Sequence, residues 1–205
     1  MAIPLRIVRL VAWALVGVAL FVVVALSLGF FRSGGPGGET TAVGTIGGAF
    51  TATNTKGEPV SEKTFLGKPT VYFFGFTHCP EICPTALFDM TNRLKALGPD
   101  ADRFNVVFVT VDPARDTTKV LADYLTAFDP RIVGLVGTQA ETDALVSAFR
   151  VYVKKGEPDP KTGDYTVDHT AAFYVMNAKG QFILPIQYSD DDEAAIAKMR
   201  RALQS

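Results

Sequence analysis

Thr70-Val71-Tyr72-Phe73-Phe74-Gly75-Phe76, running on into Thr77-His78-Cys79-Pro80-Glu81-Ile82-Cys83-Pro84, decides how the chain folds. The first part is a continuous apolar run rather than an alternation, as in a parallel strand covered on both faces. The second part leads into helical spacing, with Leu87, Met90, Leu94 and Leu97 on one face and Gly98-Pro99 as the stop. Phe104 to Val111 is a second continuous apolar run, which completes a strand–helix–strand unit with a right-handed crossover. Both cysteines of the chain, and one of its two histidines, therefore fall where a buried strand turns into a helix. Pro84 suits the first helical position, where its missing N–H would have no partner. The positive end of that helix favours anions, so both thiols are expected to have depressed pKa values.

Outward from this unit the pattern repeats. A helix presents Leu121, Tyr124, Leu125 and Phe128 on one face, then comes a strand at Ile132 to Val136. Thr138 and Glu141 fit a capping box for the next helix. Val151-Tyr152-Val153 and Tyr165-Thr166-Val167 flank a long polar loop, residues 156–163. Ala171 to Met176 and Gln181 to Ile186 are joined by a short glycine turn and so run antiparallel. A helix with Ile196, Met199 and Leu203 closes the chain. Upstream, Ala49 to Thr53 and the turn at Thr55 to Glu58 suggest a strand pair, and Ser61 to Phe65 a single helical turn. Parallel units followed by an antiparallel pair give an α/β mixed sheet with helices on both faces, thioredoxin-like in order.

Leu10 to Phe31 is uncharged and about as long as a bilayer-spanning helix requires. Arg6 and Arg9 precede it, which places the N-terminus in the cytoplasm and everything after Arg32 outside the inner membrane. The expected organisation is a membrane anchor over residues 1–32, a flexible glycine-rich linker over 33–46 and a folded domain over 47–205. A cleaved signal peptide is the alternative, but the run is long for one and no clear small-residue cleavage site follows. The net charge of -1 and the lack of a basic patch with interleaved aromatics exclude a nucleic-acid partner. No repeat of 20–50 residues is present.

Ligands of such a sheet gather beyond the carboxyl ends of its parallel strands. Cys79 follows one of these strands, and Asp112 follows the next in Val111-Asp112-Pro113-Ala114-Arg115-Asp116-Thr117. His169, in Asp168-His169-Thr170, reaches the same edge if its strand runs antiparallel to the first two. Two thiolates and an imidazole suit copper or zinc, although zinc usually takes a fourth ligand and none is evident. Asp112 is a candidate for that ligand or for a hydrogen-bonding neighbour of the site. On spacing alone, a metal site and a pure redox pair both remain open, and a lone histidine beside a strand is more often structural. Arg115 and Asp116 are read as pairing or capping the helix that follows, and His78 as a rim residue.

Taken together and in this order, Gly75-Phe76-Thr77-His78-Cys79-Pro80-Glu81-Ile82-Cys83-Pro84, Val111-Asp112-Pro113-Ala114-Arg115-Asp116-Thr117 and Asp168-His169-Thr170 resemble the Sco/SenC family. Its members are membrane-anchored copper proteins of thioredoxin-like fold that help to assemble cytochrome c oxidase. The resemblance implies that Cys79, Cys83 and His169 bind copper, and that Asp112 is the acidic residue beside the site. It implies the copper-bearing subunit of cytochrome c oxidase as partner, with other copper chaperones or thiol reductants as further ones. The rival is a thiol–disulfide oxidoreductase acting on a partner's cysteines. Such enzymes usually space the pair by two residues, often after a tryptophan; here the spacing is three and Trp13 lies in the apolar N-terminal run. A peroxidase of the peroxiredoxin type would place Thr or Ser three residues before the reactive cysteine, where this chain has Phe76.

Overall fold

The computed structural model describes residues 13–18, 20 and 45–205. Residues 13–18 and 20 are helical, and the rest of the expected anchor and linker lies outside the described residues. Among the described residues no helix is long and apolar enough to cross a membrane. A compact unit runs from Gly44 to Ser205.

Its elements are β1 (Thr51–Asn54), β2 (Pro59–Ser61), β3 (Thr70–Gly75), α1 (Ile82–Leu97), β4 (Asn105–Thr110), α2 (Thr118–Leu125), β5 (Ile132–Val136), α3 (Gln139–Phe149), β6 (Val153–Lys155), β7 (Val167–His169), β8 (Ala172–Met176), β9 (Phe182–Gln187) and α4 (Asp192–Ala202). Seven strands form one sheet in the order β2-β1-β5-β4-β3-β8-β9. Strands β3, β4 and β5 are mutually parallel. Strand β8 runs antiparallel to β3, with Phe73 opposite Phe173, and β9 antiparallel to β8. The thioredoxin-like α/β expectation holds, including the antiparallel strand that brings the segment after His169 to the carboxyl edge.

The unbroken apolar run of β3 is buried at every position. Tyr72 and Phe74 pack on Phe149 of α3, on one face of the sheet. Phe73 meets Phe108 and Phe173 on the other, and Gly75 approaches the Cys83 side chain of α1 there. Helices therefore cover both faces, and no position of β3 has a solvent side to make polar. Gly75 is glycine because an added Cβ would stand 2.8 Å from Cys83 Sγ and 3.0 Å from the Phe108 ring. The expected capping box is present: Thr138 Oγ1 accepts from Glu141 N, and Glu141 accepts from Thr138 N.

One expectation changes. Helix α1 begins at Ile82, so Pro84 is its third residue rather than its first. All of the first four N–H groups of a helix lack intrahelical acceptors, so a proline is tolerated there as well. The segments that flank the 156–163 loop end in β6 and β7, which pair as a two-stranded ribbon separate from the main sheet, with Val153 opposite His169.

Candidate metal centre

Cys79, Cys83 and His169 converge from three elements. Cys79 lies in the turn between β3 and α1, and its N–H donates to Phe76 O at 3.2 Å. Cys83 sits in the first turn of α1 and is fully buried. His169 ends the ribbon strand β7. One donor atom from each lies within 4.8 Å of the other two, and both cysteines are free thiols.

Local bonds aim each donor. The Cys83 N–H, unpaired within its own helix, donates to Cys79 Sγ at 3.3 Å. The His169 ring stands edge-on to Phe73 and Phe76, with centroids 6.1 and 5.9 Å away. Its Nδ1 contacts Thr170 O at 3.2 Å. A carbonyl oxygen only accepts, so that nitrogen holds the proton and the Nε2 lone pair faces the sulfurs, 3.4 Å from Cys83 Sγ.

The two thiols are unequal. Cys79 is half-buried, and its pKa is lowered to about 5, chiefly by the hydrogen bond with Cys83, with help from the N–H groups of Cys83 and Glu81. Cys83 moves the opposite way. It retains the proton shared with Cys79, and burial and the nearby Cys79 and Asp116 charges raise it further. The expectation of two depressed thiols is thus met at Cys79 and reversed at Cys83, because the helix end solvates one anion and the site is too enclosed for a second.

The acidic residues divide differently from the sequence expectation. Asp112 is buried beside the site, yet its carboxylate pairs with Arg115 and accepts from Tyr165 Oη at 2.7 Å, and it does not join the three-donor cluster. Asp116 does not cap the following helix; Thr117 does, accepting from Val120 N. Asp116 is instead fully buried under the cysteine turn, where it accepts from Thr77 N at 3.0 Å, Thr77 Oγ1 at 2.6 Å and Thr110 Oγ1 at 2.6 Å. His78 is exposed at the rim, 3.8 Å from Asp116. Sequence reasoning missed the roles of Asp116 and Tyr165; the only signals were an acidic residue in a Pro-containing turn and an aromatic one beside a polar loop.

The donor set fits one soft or borderline ion. Metal–donor bonds of about 2.0–2.3 Å place ligand atoms no more than ~4.5 Å apart, close to the spacing already present. The side chains that would complete a zinc tetrahedron are committed elsewhere: Asp112 to Arg115 and Tyr165, Asp116 to the two threonines.

Comparison with known proteins adds to this geometry. The sequence model described as SCO1/SenC matches residues 38–204. Protein SCO2, mitochondrial, of Saccharomyces cerevisiae is 36% identical over 162 residues, which are 78% of this chain and 54% of that protein. The chain spans about half the length of the curated relatives it matches. Among solved structures, ScoI of Bradyrhizobium japonicum with copper bound superposes with a TM-score of 0.71 at 45% identity, covering 77% of this chain and 99% of that one. Yeast Sco1 with copper bound gives a TM-score of 0.74 at 34% identity, over 79% and 90% of the two chains.

Proposed function

The chain belongs to the SCO1/SenC family, and from that premise we propose that it holds copper on Cys79, Cys83 and His169 and delivers it to the copper-bearing subunit of cytochrome c oxidase. In this reading residues 10–31 anchor the chain in the inner membrane, residues 33–46 tether it, and the domain from residue 47 works on the outer side. Asp112 supports the site from beside it without ligating.

The observation that carries the reading is the convergence of two sulfurs and one imidazole nitrogen within 4.8 Å. Thiolates select copper(I), and an added imidazole makes the set serviceable for copper(II) as well. The copper-bound relatives of the same fold support the choice of metal. Cys79 is already ionised at neutral pH, Cys83 yields its proton when an ion enters, and His169 offers Nε2 while Thr170 O holds its Nδ1–H. Closing a Cys79–Cys83 disulfide withdraws two of the three donors at once, so loading requires the reduced pair.

The test is copper loading of the reduced full-length chain in detergent, compared with the disulfide form and with His169→Ala. One copper per reduced chain, none in the disulfide form and a sharp loss of copper(II) affinity on replacing His169 are expected. Stoichiometric uptake by the disulfide form refutes the reading.

A second reading, thiol–disulfide exchange on a partner, is favoured by one feature: a half-buried low-pKa Cys79 backed by a buried protonated Cys83. Attack by the first and release by the second would need no imidazole ligand. If oxidase assembly in cells survives His169→Ala but fails on loss of either cysteine, exchange replaces delivery.

A further inference from the structure

The ribbon that presents His169 has no place in the seven-stranded sheet. No ladder of backbone hydrogen bonds joins it to that sheet, so side chains must hold it down. Strand alternation puts Val167 and His169 on one face of β7, and Tyr165 lies two residues before that strand. Val167 is buried in the core, and the His169 ring leans on Phe73 and Phe76.

Val153 of β6 also packs against the core, and Tyr165 makes a further attachment. Its hydroxyl donates to Asp112 Oδ1 at 2.7 Å, and the other oxygen of Asp112 accepts from Arg115 Nε. The Arg115 guanidinium lies 3.7 Å from the centre of the Tyr165 ring, and Lys155 Nζ lies 3.6 Å from it. Lys155 belongs to the ribbon itself, whereas Asp112 and Arg115 belong to the turn after β4. Arg115 also lies over the Phe76 ring at 5.7 Å, the same ring that supports His169. A contiguous path of contacts thus runs from Tyr165 through Arg115 and Phe76 to the His169 imidazole.

We infer that Tyr165 is a positioning residue: clasped by Asp112 and Arg115, it seats the β6–β7 ribbon so that the His169 ring stands over the two sulfurs. The inference rests on the reading that His169 is a ligand. Removing the clasp leaves both sulfurs in place and lets the third donor drift, so copper(II), which relies on the imidazole, is affected more than copper(I).

The experiment uses the full-length chain in detergent with two replacements, Tyr165→Leu and Tyr165→Phe, and His169→Ala as reference. The first readout needs no metal. In the reduced protein the His169 ring protons sit in the ring-current fields of Phe73 and Phe76, and with His78 as the only other histidine they are readily assigned by NMR. Tyr165→Leu is expected to move the His169 resonances toward free-histidine positions, to leave His78 unmoved, and to weaken copper(II) binding about tenfold. Tyr165→Phe retains the ring between its cations and loses the hydroxyl, with a loss of about threefold.

A folded Tyr165→Leu chain with unmoved His169 resonances and parental copper(II) affinity overturns the inference, provided His169→Ala does weaken binding. If His169→Ala leaves copper affinity unchanged, the ligand reading is what fails. Tyr165 as seat of the ring is then judged by the resonances alone, upheld if they move and overturned if they do not. If Tyr165→Leu does not fold, Tyr165→Phe decides: a threefold loss with displaced resonances upholds the clasp, and parental values overturn it.

Discussion

Replacing Gly75 with alanine tests whether the packing of β3 against α1 sets the position of a donor sulfur. The new Cβ would stand 2.8 Å from Cys83 Sγ and 3.0 and 3.1 Å from two atoms of the Phe108 ring, where ordinary contact begins at 3.4 Å. The Gly75 backbone is not in the left-handed region, so alanine brings no conformational strain of its own. Phe108 is fully buried against Phe73 and Tyr124 and has little room to yield. The sulfur must therefore move by about 0.6 Å, the shortfall from 2.8 to 3.4 Å, or the start of α1 must shift with it. Overpacking of this kind costs about 1–3 kcal/mol, which for a domain of this size lowers the melting temperature by roughly 2–12 °C. Displacement of one of three donors by a quarter of a bond length should weaken copper binding by about tenfold or more, since preorganised geometry is what the site supplies. Thermal unfolding of the apo protein and competitive copper titration measure the two effects separately. A Gly75→Ala chain with parental melting and parental affinity refutes the claim that this glycine sets the position of the Cys83 sulfur.

Four further outcomes are expected. Alkylation of Cys79 should be nearly independent of pH from 6 to 9 and fall off as pH drops through about 5, because its pKa is lowered and the thiolate persists down to that value; an ordinary thiol would instead gain reactivity steeply toward ~8.5. Copper uptake near pH 7 should release about one proton per ion, since Cys79 is already ionised and Cys83 is not, and apparent affinity should rise about tenfold per pH unit, as calorimetry in buffers of different ionisation enthalpy would show. Asp116→Ala strands the Thr77 and Thr110 donors under the cysteine turn and should cost about 2–4 kcal/mol in chemical denaturation. Thr138→Ala removes a capping box remote from the centre and should cost about 1 kcal/mol while leaving copper affinity at the parental value.

The fold was legible where one physical constraint acts at short range. A strand covered on both faces must be apolar throughout, so β3 and β4 stand out as unbroken runs without any partner being known. The Thr138–Glu141 box and the turn between β8 and β9 are equally local. The three donors were legible only as a combination of motifs, because nothing in the spacing of His169 from Cys83, 86 positions apart, says that they meet. What escaped the sequence depends on distant partners. Asp116 reaches Thr77 across 39 positions, and Tyr165 reaches Asp112 across 53. The start of α1 was misplaced because proline is compatible with several first-turn positions, not one. The sign of the Cys83 shift escaped because the proton shared with Cys79 stays on Cys83 and burial adds to its hold, and both are properties of the folded chain.

The asymmetry of the two thiols bears on both functional readings, and it does so through access. Cys79, half-buried and ionised, is the sulfur that an incoming ion or a partner's disulfide meets, while Cys83 lies behind it with its proton. For exchange this order is sufficient: one sulfur attacks, the other resolves, and the imidazole is incidental. For delivery it is not sufficient, because two sulfurs from one turn leave copper(II) without the nitrogen donor it favours. His169 supplies that nitrogen from a separate ribbon, tied to the sulfur-bearing turn through Tyr165, Arg115 and Phe76. A pure exchange site gains nothing from a ribbon clasped in that way, nor from an imidazole whose Nδ1–H is fixed by Thr170 so that Nε2 faces the sulfurs. The placement of His169, more than the cysteine pair itself, is therefore what weighs toward metal delivery.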